Sequence, residues 1–200
     1  MVHKIILMSV FVLIGCSAHA QSADSVYNQY LDFNLARFQG EQDKILTLGE
    51  AILPNADKLP EKARISFYFA VGKMYEDDER PEKALPYYLK VVDAVPDYYV
   101  VHRALGYIYY EDAKAIALKR DGAESDKKLH DQLSAEYVVA VKKALPHLEK
   151  AQACDPSDET LDIIKTLYQN IKDADGLNTL DTRLKELSKH CIDILNDRYR

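Results

Sequence analysis

An all-α fold is predicted by three features of this 200-residue sequence. Leu, Ala, Lys, Glu and Asp are abundant, whereas Gly and Pro number only seven each, a balance that favours helices over many short strands. From about Asp24 onwards, apolar residues recur at the spacing of a helix face and do not alternate cleanly as in strands. Part of the chain also recurs, which is typical of helical repeat arrays.

The first element is a predicted signal peptide over residues 1–20. Lys4 supplies a positive charge, Ile5 to Gly15 is mostly apolar, and the small-residue site Ala18-His19-Ala20 follows. The apolar run is shorter than the roughly 20 residues that span a bilayer, and no other run approaches that length, so we expect no transmembrane segment. Residues 21–200 are the predicted mature domain, exported to the periplasm or cell envelope of a bacterium.

Two ways of processing this leader stay open. Leu13-Ile14-Gly15-Cys16 resembles the bacterial lipobox, which would make Cys16 a lipidated N-terminus. Cleavage after Ala20 would instead discard Cys16 and release a soluble protein, and we favour that reading. Membrane association is expected only in the lipidated form.

Two cysteines, Cys154 and Cys191, remain after either cleavage. One bridge between them would require Cα atoms within about 7 Å. Two cysteines do not make a disulfide scaffold, and we expect both to be free and buried.

The internal repeat begins with a shared four-residue segment. Lys83-Ala84-Leu85-Pro86 recurs as Lys143-Ala144-Leu145-Pro146, and in both copies a second Pro follows the Ala by twelve residues. The helices that precede the two copies share one spacing, with Tyr68, Val71, Gly72 and Tyr75 in the first and His102, Leu105, Gly106 and Tyr109 in the second. The small Gly would let the partner helix approach closely, with Ala84 or Ala144 facing it, and the Pro twelve residues after the Ala would end the second helix.

The 34 residues from Tyr68 to His102 match the period of the tetratricopeptide repeat (TPR) family, which this chain resembles. Residues 65–98 resemble one full repeat and 99–158 a second. The pattern positions are Tyr68, Val71, Gly72, Tyr75, Ala84, Tyr88, Val91 and Pro96, then Leu105, Gly106, Tyr109, Ala144, Leu148, Ala151 and Pro156. The resemblance implies a superhelix of antiparallel helix pairs.

The remaining segments are consistent with the same architecture. Residues 24–53 read as a degenerate helix pair. Residues 159–200 read as a degenerate repeat and a C-terminal helix, with a turn at Asp173-Ala174-Asp175-Gly176 and a second helix from Leu180 to about Leu187.

The second repeat carries an insertion that predicts a long helical hairpin. Gly106 and Ala144 are 38 residues apart, whereas Gly72 and Ala84 are 12 apart. The extra residues keep helical periodicity, with apolar faces at Tyr109, Ala113, Ile116 and Ala117 and at Leu129, Leu133, Tyr137 and Ala140. We expect an exposed turn at residues 119–124 and a hairpin that projects about 20 Å from the array.

No catalytic or cofactor-binding pattern is visible. The sequence lacks a phosphate-binding Gly loop, a dinucleotide fingerprint, a nucleophile elbow and a metalloprotease helix. His147, Cys154, His190 and Cys191 lack the close ligand pairs of structural zinc sites. A calcium loop around Asp173 would need ligands at Ile171 and Thr182, which do not suit. We therefore expect no enzyme, no metal and no cofactor.

The expected function is binding of a protein partner. The net charge of −6, with no basic patch, argues against nucleic acid. The TPR resemblance implies a concave groove that holds a peptide or helix, lined by Ser66, Phe69, Lys73, Glu76, Val100, Arg103, Tyr107 and Tyr110. Alternatively, the aromatic members contact the extended hairpin instead of a ligand. A second hypothesis is a structural role in which the 109–140 hairpin drives self-association.

Overall fold

The computed structural model describes residues 22–193 of the chain. The predicted signal peptide and Cys16 lie outside these residues, so cleavage and lipidation stay predictions. The helices are, in chain order, α1 (Ala23–Gln39), α2 (Gln42–Ile52), α3 (Glu61–Asp77), α4 (Pro81–Ala94), α5 (Tyr99–Asp121), α6 (Lys127–Cys154), α7 (Asp158–Asn170), α8 (Ala174–Asn178) and α9 (Leu180–Leu187), with a 3-10 helix at Leu53–Lys58.

The all-α prediction is confirmed over the described residues, where the only strand-like pairing is an isolated parallel bridge between Tyr98 and Ile192. Successive long helices reverse direction. In α5 and α6, Gly106 faces Leu148 while Arg120, fourteen residues later, lies over the ring of Tyr137, eleven residues earlier. These helices therefore form an antiparallel pair.

Local capping chemistry explains where several helices begin and end. The Ser22 side chain accepts a hydrogen bond from the backbone N–H of Ser25 at 3.2 Å, which starts α1. Gly40 ends it in the left-handed conformation at φ 72°. Asp126 caps α6 and Ser157 caps α7 in the same manner as Ser22. Short polar side chains at these positions accept hydrogen bonds from backbone N–H groups that have no acceptor within the first turn of a helix.

Gly72 and Gly106 allow the close helix approach that the repeat pattern predicts. A Cβ at Gly72 would lie 2.5 Å from Cε1 of Tyr88, and one at Gly106 would lie 2.8 Å from Cδ2 of Leu148. These partners sit four residues after Ala84 and Ala144, one helical turn from the expected contact positions. Hydrogen on Cα is the only substituent that fits there.

The long hairpin is present, but its turn lies later than predicted. α5 has 23 residues and α6 has 28. Residues 119–121, expected in the turn, are the last residues of α5, and the connection runs from 122 to 126. Ala123 is buried within this connection, and Asp126 caps α6 through the N–H of Leu129. Side-chain capping at Asp126, rather than Gly122, decides where the chain turns.

The C-terminal third contains the predicted helix Leu180–Leu187, which is α9. The predicted turn at 173–176 is instead the cap and first residues of α8, because the Asp173 carboxylate accepts a hydrogen bond from the Gly176 N–H at 2.8 Å. Gly176 also lies against the ring of Tyr168.

The core consists of two clusters of buried side chains. One joins α1, α2, α3, α4 and the start of α5, and the other joins the hairpin with α7 and α9. Tyrosines contribute to both, with Tyr75, Tyr88, Tyr98, Tyr137 and Tyr168 all buried. Each offers a large apolar ring and a hydroxyl that can reach a polar partner at the edge of the contact.

Candidate functional site

The predicted groove residues of α3 are partly engaged within the chain. Phe69 is half-buried, with its ring 5.3 Å from that of Tyr98. Lys73 forms an ion pair with Asp77 at 2.8 Å. Ser66 is half-buried, and Glu76 accepts a hydrogen bond from the Tyr88 hydroxyl at 2.5 Å.

The predicted groove residues of α5 mostly contact the following repeat. Arg103 forms an ion pair with Asp155 at 2.5 Å, and the hydroxyls of Tyr107 and Thr160 are 3.1 Å apart. Val100 packs against the first core cluster. Tyr110 packs against the second, and Lys114 lies over its ring at 5.3 Å.

The structure brings Glu76 and Tyr107 into one cleft at the tip of the α3–α4 pair, which we call the tip cleft. It has a volume of about 580 Å³ and is open to solvent on one side. Its lining residues are Glu76, Glu79, Pro81, Glu82, Leu85, Ala104, Tyr107, Ile108, Glu111 and Asp112. α3, the α3–α4 turn and α4 supply one wall, and α5 supplies the other.

The tip cleft combines an acidic rim with an apolar floor. Five of its lining side chains are carboxylates, and none is Lys or Arg. Leu85, Ala104 and Ile108 are half-buried and form the floor. Glu79 closes the α3–α4 turn in the left-handed region at φ 55°, which holds its side chain at the rim.

Two contacts fix parts of this rim. Burial, followed by the hydrogen bond to Glu76, raises the pKa of the Tyr88 hydroxyl, so this hydroxyl stays a donor to the Glu76 carboxylate. Lys114 donates to the Glu111 carboxylate at 2.8 Å from outside the cleft lining. Glu82 and Asp112 are exposed on opposite walls, so the rim presents negative charge to a ligand from both sides.

A second hollow continues along the hairpin and shares Leu85 and Asp112 with the tip cleft. Its volume is about 670 Å³. Ile116 and Ala140 form part of its wall, and Val139 is 56% exposed beside them. The hairpin continues beyond the α3–α4 tip, so this face of it has no helix from the described chain packed over it.

A histidine pair lies between α5 and α6. The Nδ1 atoms of His102 and His147 are 3.0 Å apart, and Nε2 of His102 is 2.8 Å from the carbonyl oxygen of Pro96. Because a carbonyl only accepts, His102 donates through Nε2 and accepts through Nδ1 from the N–H of His147. Burial, and then the neighbouring His102, lower the pKa of His147 to about 4, so the pair is neutral at pH 7.

Sequence reasoning missed a buried polar network that joins α6, α7 and α9. Glu149 is 4% exposed and accepts two hydrogen bonds from Arg183, at 2.9 and 2.7 Å. The Tyr168 hydroxyl donates to Glu149 and accepts from Arg183 at 2.8 Å. Both oxygens of the buried Glu149 carboxylate are thus paired. The network links the three helices structurally and leaves none of its groups free to transfer a proton. The spacing of the polar residues in α7 and α9 does not predict this network.

The expectation of free cysteines is wrong. Cys154 and Cys191 form a disulfide with their Cα atoms 5.5 Å apart. The C-terminal segment, which we define as residues 188–193, returns to the end of α6 because Ile192 exchanges backbone hydrogen bonds with Asp97 and Tyr99. This long-range pairing places the two thiols within bonding reach, and it cannot be read from their separation in the sequence.

Lys150 also holds the C-terminal segment in place. Its side chain is 5% exposed, and Nζ donates to the Asp97 carboxylate at 2.5 Å and to the carbonyl oxygen of His190. The disulfide also removes both thiolates from the four residues considered for zinc. Among residues 22–193, no three His, Cys, Asp or Glu side chains gather as a metal site.

Comparison with known proteins identifies no relative of this chain. No protein-family model matches this chain, and neither a curated protein nor a solved structure is similar to it. Within residues 22–193, no helix is both long and apolar enough to cross a membrane. Function is therefore inferred from the clefts and surfaces described above.

Proposed function

We propose that this protein is an exported, TPR-type interaction scaffold of the cell envelope that binds a basic amphipathic segment of a partner protein in the tip cleft. The tip cleft, with acidic rim and apolar floor, is the observation that carries the proposal. The repeat spacing and the close contacts at Gly72 and Gly106 support the TPR-type architecture.

The expected ligand follows from the charges in the tip cleft. Lys or Arg side chains on the rim of a ligand helix would meet Glu82 and Asp112 across the cleft. Apolar side chains on its other face would cover Leu85 and Ile108, which lie on the floor. Apolar contact at the centre with charge at the rim is the usual arrangement of a protein interface.

The same geometry moves the proposed site away from the middle of the predicted groove. Arg103 and Tyr107 make contacts with Asp155 and Thr160, more than fifty residues further along the chain. A ligand in the middle of the groove would have to replace these contacts. The tip cleft requires no such exchange, and it retains Glu76 and Tyr107 from the predicted set.

Binding of a synthetic peptide tests the proposal. The probe is a helical peptide of about twenty residues, with Leu on one face and Lys on the other, and fluorescence anisotropy measures its affinity at low ionic strength. We expect E82Q and D112N each to weaken binding about three- to tenfold, because each removes one facing charge. E159Q, an exposed carboxylate on α7, is the matched control and should bind as the wild type does.

The outcomes separate this site from general attraction to an acidic protein. A peptide with Glu in place of Lys should not bind, and binding should weaken as salt screens the rim. Equal losses in E82Q and E159Q would contradict the tip cleft. Failure to recover any partner from envelope extracts, even after crosslinking, would contradict the scaffold role itself.

A second candidate is a structural protein that self-associates through the hairpin. Leu118, Leu129 and Val139 support it, being 74%, 42% and 56% exposed on the 109–140 hairpin. A mass measurement at tens of micromolar tests it. A monomer whose mass is the same in L118E would count against this role.

A further inference from the structure

Helix α1 carries an apolar face that nothing in the described chain covers. We define the outer stripe as Tyr27, Leu31, Leu35 and Phe38, which are 40%, 49%, 50% and 90% exposed. Their spacing of four, four and three residues places them on one face of the helix. The opposite face, with Val26, Phe33 and Ala36, is fully buried against the core. α1 is therefore apolar on two opposite sides.

The extent of the outer stripe exceeds what a solvated helix face requires. At these exposed fractions it presents on the order of 500 Å² of surface, which lies within the range of the largest apolar patch on a monomer. Beside the outer stripe, Asn28, Asn34 and Gln39 are uncharged amides, while the exposed carboxylates Asp24 and Asp32 lie at its end and its edge. The extent of the apolar surface suits a face that lies against another helix.

The order of side chains in the outer stripe points to a second copy of the same chain. The stripe reads aromatic, Leu, Leu, aromatic, so it has the same order from either end. A two-fold interface requires this self-complementarity, because residue i of one copy meets residue j of the other and the reverse. An antiparallel pair would place Tyr27 against the partner's Phe38 and bring the leucines together at the centre.

The area of the outer stripe agrees with this arrangement. Complete coverage of two outer stripes would remove about 1,000 Å² from solvent, which reaches the lower bound for a specific interface. We propose that the protein forms a two-fold dimer through the antiparallel packing of α1 against α1 of a second copy.

The mass of the purified full chain, measured by light scattering and sedimentation between about 1 and 100 μM, tests this inference. We expect a dimer in the wild type and a monomer in L35E and in F38E, since each places two carboxylates in an apolar interface. L118E introduces the same charge at an exposed leucine of the hairpin and should leave the dimer intact. Circular dichroism confirms that each variant is folded, which is expected because the substituted side chains face solvent.

Cysteine crosslinking tests the direction of the two helices. An equimolar mixture of Y27C and F38C should give a disulfide-linked mixed dimer, because these positions face each other across an antiparallel pair. F38C alone should not crosslink, since its two copies would be about 16 Å apart along the helices. The native pair Cys154–Cys191 is already bonded, and wild-type protein provides the background, including any crosslink through Cys16.

Each remaining outcome overturns the proposal. A monomeric wild type would assign the outer stripe to another occupant, either a different segment of this chain or a different protein. A dimer that persists in F38E and is lost in L118E would place self-association on the hairpin. Strong crosslinking of F38C with itself would exclude the antiparallel arrangement. None of these results bears on the peptide affinity of the tip cleft, so the two proposals fail independently.

Discussion

At the scale of single residues, the pair of His102 and His147 shows how a titratable contact limits stability in acid. Both rings lie between α5 and α6, and burial is the main cause of the lowered pKa of each. In the unfolded chain, where burial is lost, His147 would titrate near 6.5. Below that pH the unfolded state binds a proton that the folded state resists.

Stability should therefore fall as the pH drops from about 6.5 to about 4, the folded pKa of His147. The expected contribution is about 2 kcal/mol, reduced from the full linkage value because His147 is partly exposed. H147N keeps an N–H for His102 and removes the titration, so its loss of stability over this interval should be smaller than that of the wild type. Urea denaturation at pH 7, 5.5 and 4.5 measures the difference.

H130N is the control for this measurement, because His130 lies on the hairpin at the start of α6, with 40% of its side chain exposed. Its pH dependence should match that of the wild type. If the stability of H147N fell with pH as much as that of the wild type, the histidine pair would not be the cause of the loss of stability in acid.

The individual groove residues show where sequence reasoning stops. The TPR resemblance implied that Arg103, Tyr107 and Val100 lie on one helix, and all three are part of α5. It could not show that Arg103 reaches Asp155 or that Tyr107 reaches Thr160, because Asp155 ends α6, Thr160 lies on α7, and both contacts depend on how these helices pack. For the same reason Glu79, Glu82 and Asp112 were not selected, although they shape the tip cleft.

At the scale of helices, the repeats depend on two glycines. Gly106 faces both the side chain and the backbone N of Leu148, the latter 3.0 Å from where a Cβ would stand. A backbone atom cannot move aside as the end of a flexible side chain can. The prediction of close approach was available from the sequence, because Gly72 and Gly106 occupy equivalent positions in the two copies.

G106A should destabilise the protein by about 1–3 kcal/mol, because the added methyl forces α5 and α6 apart. G122A is the matched control. Gly122 ends α5 with ordinary helical backbone geometry, and a Cβ there would lie 3.6 Å from its nearest neighbours, so Ala should be neutral or slightly stabilising. Thermal denaturation of both variants measures the difference in stability. Equal changes in Tm for G106A and G122A would show that α5 and α6 accommodate a methyl group at Gly106 at little cost.

The hairpin shows both the strength and the limit of periodicity at this scale. The added residues kept an apolar helical face, and Ala113, Leu133, Tyr137 and Ala140 are buried as expected. The turn was placed too early, because α5 continues to Asp121 and the cap at Asp126 sets the start of α6. Boundaries of this kind depend on a few hydrogen bonds rather than on the pattern of the whole element.

At the scale of the whole molecule, the C-terminal segment links distant parts of the chain. Ile192 pairs with the backbone at Asp97 and Tyr99, Lys150 donates to Asp97 and His190, and Cys191 is bonded to Cys154. These contacts connect the turn after α4, the end of α6 and the residues after α9. The segment thus holds the residues after α9 against the start of α5 and the end of α6.

Reduction of the disulfide should lower stability by about 3–4 kcal/mol, because the bridge closes a loop of 37 residues in the unfolded chain. The corresponding fall in Tm is roughly 10 °C for a chain of this size. The double variant C154S/C191S should show the same fall without reductant and no further change when reductant is added. A wild-type Tm that is insensitive to reductant would contradict this role for the bridge.

The all-helical class, the existence of the long hairpin and the two close contacts at Gly72 and Gly106 follow from the amino-acid sequence alone. Each depends on spacing within one helix or between neighbouring helices, which apolar periodicity and small residues encode locally. The disulfide, the Glu149 network, the tip cleft and the outer stripe arise only from the packing of the helices. These features join residues far apart in the chain or depend on which faces stay uncovered, and both are known only once every helix has docked.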